Sequence, residues 1–78
     1  MKLPRGVSGE RLIRRLEALG SAVIRQKGSH VRLFRQGPPS HSISVPRHDP
    51  IKVGTFHAIL VEISRARSIS IEEILDLL

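Results

Sequence analysis

The hydrophobic period of the chain changes at Gly20, and this change limits the folds that the sequence can adopt. Within residues 8–19 the leucines recur every three or four positions, which is the spacing of a helix with one apolar face. Ser8 is a suitable N-cap for this helix, and Gly20 can adopt the left-handed conformation that ends it. After Gly20 the spacing becomes that of short strands, so a chain that mixes helix and sheet is predicted.

Three strands are predicted from runs rich in Val, Ile and Phe that are bounded by "KGS" and "QGPPSH". They lie near residues 22–27, 30–35 and 42–45. Since side chains alternate between the two faces of a strand, one face is predicted to be apolar: Ile24, Val31, Leu33, Ile43 and Val45. The other face is predicted to be wet and basic: Arg25, Lys27, His30, Arg32, Ser42 and Ser44. Phe34 has the parity of the wet face, so either it packs at the sheet edge or the assigned register is wrong.

Two more helices are predicted after the strands. Residues 55–64 repeat a helical period, and Ser70 with Glu73 forms a capping-box pattern ahead of a short acidic helix. The order is α-β-β-β-α with a helical tail, an α+β fold in which we expect the helices to cover one face of an antiparallel sheet. No linker or repeat divides the chain, so residues 1–78 are expected to form a single domain.

The chain is short and contains no cysteine. A domain of 78 residues buries only roughly 60% of the surface that its unfolded form exposes, so its core is thin. The lack of cysteine excludes disulfides and thiolate metal ligands, and it suits a reducing cytoplasm. The longest apolar run, residues 58–61, is far too short to span a membrane, and the first ten residues lack the apolar segment of a signal peptide. A cytoplasmic protein that does not act on a membrane is expected.

The charge of the chain favours a polyanionic partner. Thirteen Lys and Arg residues against seven Asp and Glu give a formal charge of +6, and the excess lies before residue 55. Because neutralisation of phosphates by Lys and Arg supplies most non-specific affinity for nucleic acids, nucleic acid is the leading candidate. The alternative is a basic surface that serves solubility alone. Phe34 and Phe56 are too few aromatic residues for a base-stacking platform, so recognition should depend on backbone charge and shape.

Four histidines are the side chains best suited to acid–base chemistry near neutral pH. His57 lies between core positions of the second predicted helix and is interpreted as a boundary side chain. His41 lies in the Pro-rich loop, where it is either solvated or in contact with phosphate. His48 follows the third strand and either anchors the loop or approaches a ligand at the sheet rim. His30 lies on the wet face between cations, where it is either a catalytic group or a solvated turn residue.

A histidine in such a place can cleave RNA, because RNA carries its own nucleophile, the 2′-hydroxyl. The protein then needs only a group that moves a proton, for which His30 is the best-placed candidate, and donors that stabilise charge on the phosphorane. The groups assigned to substrate binding are Arg25, Lys27 and Arg32 for phosphate, Gly28 for the shape of the turn, and Ser29 for the turn and a hydrogen bond to phosphate. The acidic residues are scattered, so neither a metal nor a small-molecule cofactor is expected.

Five segments in this order resemble the HicA toxin family of small bacterial mRNA interferases from type II toxin–antitoxin systems: "VSGERLIRRLEALG", "RQKGSHVRL", "ISVPRH", "VGTFHAILVEI" and "SIEEILDLL". The resemblance spans nearly the whole chain. Its most specific parts are the Gly28-Ser29-His30 triplet, the Val45-Pro46-x-His48 element and the Gly54-Thr55 pair. It implies a double-stranded-RNA-binding-like fold, in agreement with the order of elements predicted above.

The resemblance also implies an activity and a partner. The activity is metal-free, ribosome-independent cleavage of mRNA with His30 as the catalytic residue. The partner is a HicB-type antitoxin that covers the active face. Two rival interpretations stay open: a non-catalytic RNA-binding module that uses the same face, and an inactive toxin retained only for its contact with an antitoxin.

Overall fold

The computed structural model of the protein describes residues 3–78, so Met1 and Lys2 of the expected domain lie outside the described residues. Within the described residues the elements are, in chain order, α1 (Gly9–Ala18), β1 (Ala22–Lys27), β2 (His30–Arg35), β3 (His41–Pro46), α2 (Val53–Arg67) and α3 (Ile71–Asp76). The strands form an antiparallel sheet in the order β1-β2-β3. The predicted α+β class is confirmed, with the α-β-β-β-α order and three-stranded sheet of a double-stranded-RNA-binding-like fold.

Helix α1 is capped at both ends as the sequence predicts. The Ser8 hydroxyl accepts a hydrogen bond from the Arg11 N–H at 3.1 Å and is the N-cap. At the other end Gly20 has a φ of 101°, in the left-handed region that glycine tolerates. The N–H of Ser21 donates to the Leu16 carbonyl at 2.9 Å, which closes the last turn of the helix. The chain therefore reverses sharply from α1 into β1.

The alternation of side chains in β2 and β3 agrees with the predicted apolar face. Val31 and Leu33 of β2 are fully buried, and they lie opposite Val45 and Ile43 of β3, which are also buried. Helices α1 and α2 pack on this face. No helix formed by residues 3–78 lies on the opposite face of the sheet, which is called the open face below.

Strand β1 departs from the prediction at Ile24. A bulge lies between Val23 and Arg25, so that Val23 rather than Ile24 is opposite Leu33. A bulge places two residues against one and shifts the parity of what precedes it. The assignment of Ile24 to the apolar face is therefore wrong, and its side chain is 59% exposed. The residues after the bulge keep the predicted parity, so Arg25 and Lys27, which pair with Arg32 and His30, lie on the open face.

Phe34 fits neither of the two alternatives left open by its parity. It lies in the central strand, not at an edge, and the register of β2 is as predicted. Its partners are Ala22 of β1 and Ser42 of β3. Phe34 is thus an apolar side chain on the open face, 36% exposed.

The buried side chains form one cluster between the sheet and the helices. Its members are Val7, Leu12, Ile13, Leu16, Val31, Leu33, Ile43, Val45, Ile51, Phe56, Ile59, Leu60, Ile63 and Ile74. The segments before α1 and before α2 also join this cluster, since the Ile51 N–H donates to the Val7 carbonyl at 2.9 Å. All helices thus bury their apolar sides on one face of the sheet.

The C-terminal helices follow the predicted order with one change of length. Helix α2 extends beyond the predicted residues 55–64 at both ends and stops at Ser68, which takes a left-handed φ of 54°. Helix α3 begins after Ser70, whose hydroxyl accepts the Glu73 N–H at 3.1 Å as its capping pattern predicts. Among residues 3–78 no helix combines the length and apolar character needed to cross a membrane.

The ends of α1 and α2 are joined by Arg67. Its Nη2 donates to the Leu19 carbonyl at 3.1 Å. Burial lowers the pKa of the Arg67 guanidinium, and the nearby charge of Arg35 lowers it further. The hydrogen bond to a helix C-terminus is favourable for a cation, because carbonyl groups there lack partners within the helix.

Candidate active site

A tight turn between β1 and β2 positions His30. Gly28 has a φ of 59°, which side-chain-bearing residues rarely adopt, and with Ser29 it reverses the chain. Lys27 and His30 consequently lie directly opposite each other in the antiparallel ladder. The Gln26 side-chain amide donates to the Gly28 carbonyl at 3.1 Å and braces the turn. The His30 side chain is exposed, and its alternation with the buried Val31 assigns it to the open face, as its parity predicts.

An arginine pair and a lysine–histidine pair face each other across β1 and β2. Arg25 is the register partner of Arg32, and Lys27 is the partner of His30. Like charges directly opposite in a sheet destabilise it. Within the part of the chain that the structure describes, no salt bridge joins any of these four side chains to a carboxylate. The open face therefore carries positive charge that an anion from outside the chain would neutralise.

The guanidinium of Arg32 is held by two serines of β3. Its Nη1 donates to Ser44 Oγ and its Nη2 to Ser42 Oγ, both at 2.9 Å. The sequence predicted the face on which these serines lie. It could not predict that both accept hydrogen bonds from Arg32, because this depends on the register between β2 and β3. Because guanidinium has five N–H donors in a fixed plane, donors remain for a phosphate after these two are used. Arg32 is thus oriented before any ligand arrives.

His48 lies beside the turn and joins the same site. Its Nε2 is 3.3 Å from Ser29 Oγ, and its ring centroid is 6.4 Å from that of His30, with the rings inclined at 71°. The Arg47 N–H donates to the Ser29 carbonyl at 2.6 Å. His48 thus contacts the turn, as loop anchoring predicts, and its approach to a ligand at the sheet rim stays a prediction.

His41 is the first residue of β3 and not part of the Pro-rich loop as predicted, and it lies at the end of the sheet away from the turn. Its register partner is Arg35. Because His41 lies two residues before the buried Ile43, the two side chains share the helix side of the sheet. There its Nε2 is 3.5 Å from Glu62 Oε1 of α2. The structure does not bring His41 together with His30. Among residues 3–78, moreover, no three His, Asp or Glu side chains lie close enough to hold a metal ion.

Gly9 is a structural part of the site that the sequence reasoning missed. It is buried, and its N–H donates to the His48 carbonyl at 2.8 Å. A Cβ built on Gly9 would collide with the carbonyl oxygen of Pro46. Only glycine therefore lets the start of α1 rest against the exit of β3. The signal available in the sequence was a poor helix former in the first turn of an otherwise strong helix.

Comparison with known families agrees with this arrangement. The family model described as the HicA toxin of bacterial toxin–antitoxin systems matches residues 9–64, well over half of the chain. The matched segment runs from the first residue of α1 into α2 and contains the whole sheet, the turn and His48. Among curated proteins and among solved structures nothing matches significantly. The chain belongs to the HicA toxin family, the toxin component that is paired with an antitoxin in bacterial toxin–antitoxin systems.

Proposed function

We propose that this toxin is a metal-independent mRNA interferase, an endoribonuclease that cleaves RNA on the open face of its sheet with His30 as a catalytic residue. The observation that carries this proposal is the exposed imidazole of His30 in a set of cations that face one another without carboxylates. Lys27 is its direct partner, and Arg25 and Arg32 form the next pair along the ladder. Such a set is unfavourable by itself and becomes favourable when a phosphate binds.

Each cation of the open face has its own role in binding the RNA phosphates. Arg32, already oriented by its two serines, presents a rigid donor fork to a phosphate oxygen. Arg25 and Lys27 stand on the neighbouring strand and contact the same or the adjacent phosphate. Gly28 allows the backbone of the turn to approach the RNA closely, and Ser29 holds the turn against the β3 exit. These contacts read the RNA backbone, so we expect weak sequence selectivity.

The proposed reaction is a transesterification within the RNA. The 2′-oxygen attacks the adjacent phosphorus as its proton passes to a base, a new bond from this oxygen to phosphorus forms, and the bond from phosphorus to the 5′-oxygen breaks. The 5′-oxygen takes up a proton, which leaves a 2′,3′-cyclic phosphate and a 5′-hydroxyl. No metal is required, because the nucleophile belongs to the substrate and the cations stabilise the charged phosphorane. His30 exchanges one of the two protons.

The partner proposed for this face is a HicB-type antitoxin. An antitoxin with an acidic surface would neutralise the unpaired cations of the open face and exclude mRNA from His30. A partner that binds only the folded toxin also stabilises this small domain by mass action. The proposed place of action is the cytoplasm, where mRNA is available.

The test compares purified wild-type protein with His30→Ala on a defined RNA, alongside growth after induced expression in bacteria. We expect the His30→Ala variant to cleave slower by a factor on the order of 10²–10⁴, the usual contribution of general acid–base catalysis. Growth arrest should be lost in parallel. His57→Ala is the matched control, because His57 is exposed on α2 away from the open face and its removal should change neither result.

Equal cleavage and equal growth arrest by wild type and His30→Ala would show that His30 is not catalytic. Salt-dependent RNA binding by the wild type without cleavage would favour the non-catalytic binding module instead. Binding of an antitoxin with neither RNA binding nor cleavage would identify an inactive toxin.

A further inference from the structure

The loop at His48 is anchored by backbone hydrogen bonds, and the imidazole of His48 makes a further contact that this anchoring does not need. The backbone alone secures this loop, through the Gly9 N–H to the His48 carbonyl at 2.8 Å and the Arg47 N–H to the Ser29 carbonyl at 2.6 Å. Any residue type at position 48 would provide that carbonyl. The ring adds a separate contact, with Nε2 at 3.3 Å from Ser29 Oγ. The identity of the side chain therefore requires a reason other than anchoring.

The reason lies in the position of the ring relative to His30. The two ring centroids are 6.4 Å apart and the planes are inclined at 71°, so that an edge of one ring points toward the other. Both side chains are exposed. A catalytic nitrogen must come within roughly 3 Å of the oxygen whose proton it moves. The two rings are thus close enough for one phosphoryl group on the open face to lie within reach of both imidazoles.

Two proton transfers accompany the cleavage proposed above. One proton leaves the attacking 2′-oxygen and one reaches the departing 5′-oxygen, and these oxygens lie on opposite sides of the phosphorus when the displacement is in line. A single imidazole cannot reach both in the same transition state. The remaining cations of the site cannot act as the general base near neutral pH, since guanidinium and ammonium groups hold their protons there. The same property makes them weaker general acids than an imidazolium, because general acid–base catalysis is most efficient when the pKa of the group lies near the operating pH.

We propose that His48 is the second catalytic residue and that His30 and His48 divide the general-base and general-acid roles. One accepts the proton of the 2′-hydroxyl while the other donates a proton to the 5′-oxygen as its bond to phosphorus breaks. Hydrolysis of the cyclic product, if it follows, runs the same transfers in reverse with water in place of the 5′-oxygen. This inference rests on the proposed ribonuclease function, and it deepens that function by assigning the second transfer.

The charged groups around the histidine pair come from three elements. Lys27 of β1 lies opposite His30 in the ladder. At the exit of β3, Arg47 pairs with Glu10 of α1 at 3.4 Å, and Asp49 follows His48 in the chain. All of them are retained in the variants below, so changes in the pH profile report the histidines themselves.

The first experiment measures kcat against pH for wild type, His30→Ala, His48→Ala and the control His57→Ala. Wild type and control should give a bell-shaped profile with two limbs. His48→Ala should lose on the order of 10²–10⁴-fold in kcat and one limb of the bell. Thermal unfolding of each variant checks that the fold is intact, and His48→Gln provides a second variant that keeps a polar side chain against Ser29.

The second experiment separates acid from base. An RNA with sulfur in place of the 5′-bridging oxygen at the cleaved position has a leaving group that departs without a proton. The variant that lacks the general acid should recover most of the wild-type rate on this substrate, and the variant that lacks the base should not. Recovery in just one of His30→Ala and His48→Ala supports the proposal and assigns the roles.

Two results would overturn it: a His48→Ala profile that keeps both limbs, or equal losses for both variants on both substrates. These differ from a failure of the proposed function, in which wild type itself would leave both RNAs uncut.

Discussion

Arg32 illustrates how single residues prepare the open face for an anion. Its guanidinium donates one hydrogen bond to Ser42 and one to Ser44, which leaves its other N–H donors for a ligand. An arginine held in this way loses less side-chain freedom on binding than a flexible one. We therefore expect its charge and its orientation to contribute separately to RNA affinity, and substitution can separate them.

The charge of Arg32 can be measured through the salt dependence of RNA binding. In the slowly cleaving His30→Ala background, the further change Arg32→Ala should weaken binding and reduce the slope of log K against log salt by about 0.7, the value for one phosphate contact on a single strand. Arg65→Ala, on the exposed side of α2, should leave the slope unchanged. An unchanged slope for Arg32→Ala would mean that Arg32 contacts no phosphate. The double change Ser42→Ala with Ser44→Ala should weaken binding at constant slope, because the charge is retained.

At the residue scale, the sequence predicted which face of the sheet carries the site residues, because side chains alternate between the faces of a strand. Alternation alone assigned His30 and Arg32 to one face, and the structure agrees. The contact between Ser29 and His48 was not predictable, because it joins residues 19 positions apart through the exit of β3. The hydrogen bonds from Arg32 to Ser42 and Ser44 were not predictable either, because they depend on the register between β2 and β3.

At the scale of elements, the contact between α1 and β3 is what fixes the site in space. Gly9 allows the first turn of α1 to press against Pro46, and its N–H binds the His48 carbonyl. The β3 exit then holds the turn through the Ser29 carbonyl. A change at the start of α1 is thus transmitted to the turn that carries His30.

Two glycine substitutions test this contact against a matched control. Gly9→Ala should destabilise the protein by about 1–3 kcal/mol, because the added methyl group collides with the backbone of Pro46. Gly54→Ala lies in the first turn of α2 with open space around its Cβ, so it should stabilise by up to about 1 kcal/mol through helix propensity. Denaturant unfolding measures both. A Gly9→Ala protein as stable as wild type would show that the close packing of α1 on β3 is not required.

The elements themselves were predictable where their signals are local. Ser8, Gly20 and Ser70 cap or end helices as expected, since a cap depends on a few neighbouring residues. The bulge in β1 was not predictable, because it exists only relative to β2, and it exposed Ile24. The apolar period also underestimated the length of α2, whose terminal residues are exposed or half-buried and leave no periodic signal.

At the scale of the whole molecule, the open face and helix α3 carry charges of opposite sign. The cations of the open face lie on the side of the sheet that carries no helix. The acidic Glu72 and Glu73 belong to α3, which packs with α2 on the other side. We expect the cations of the open face to attract a polyanion toward the sheet. The open face also offers an acidic antitoxin the same surface that RNA would use.

The central claim is that the RNA supplies its own nucleophile on the open face, and it is tested most directly by removing that nucleophile. Purified wild-type protein is incubated with an RNA and with the same sequence bearing 2′-O-methyl groups at the cleaved positions, and the product ends are identified. We expect the unmodified RNA to yield 2′,3′-cyclic phosphate and 5′-hydroxyl ends and the methylated RNA to stay intact. Cleavage of the methylated RNA, or products with 5′-phosphate ends, would contradict the claim.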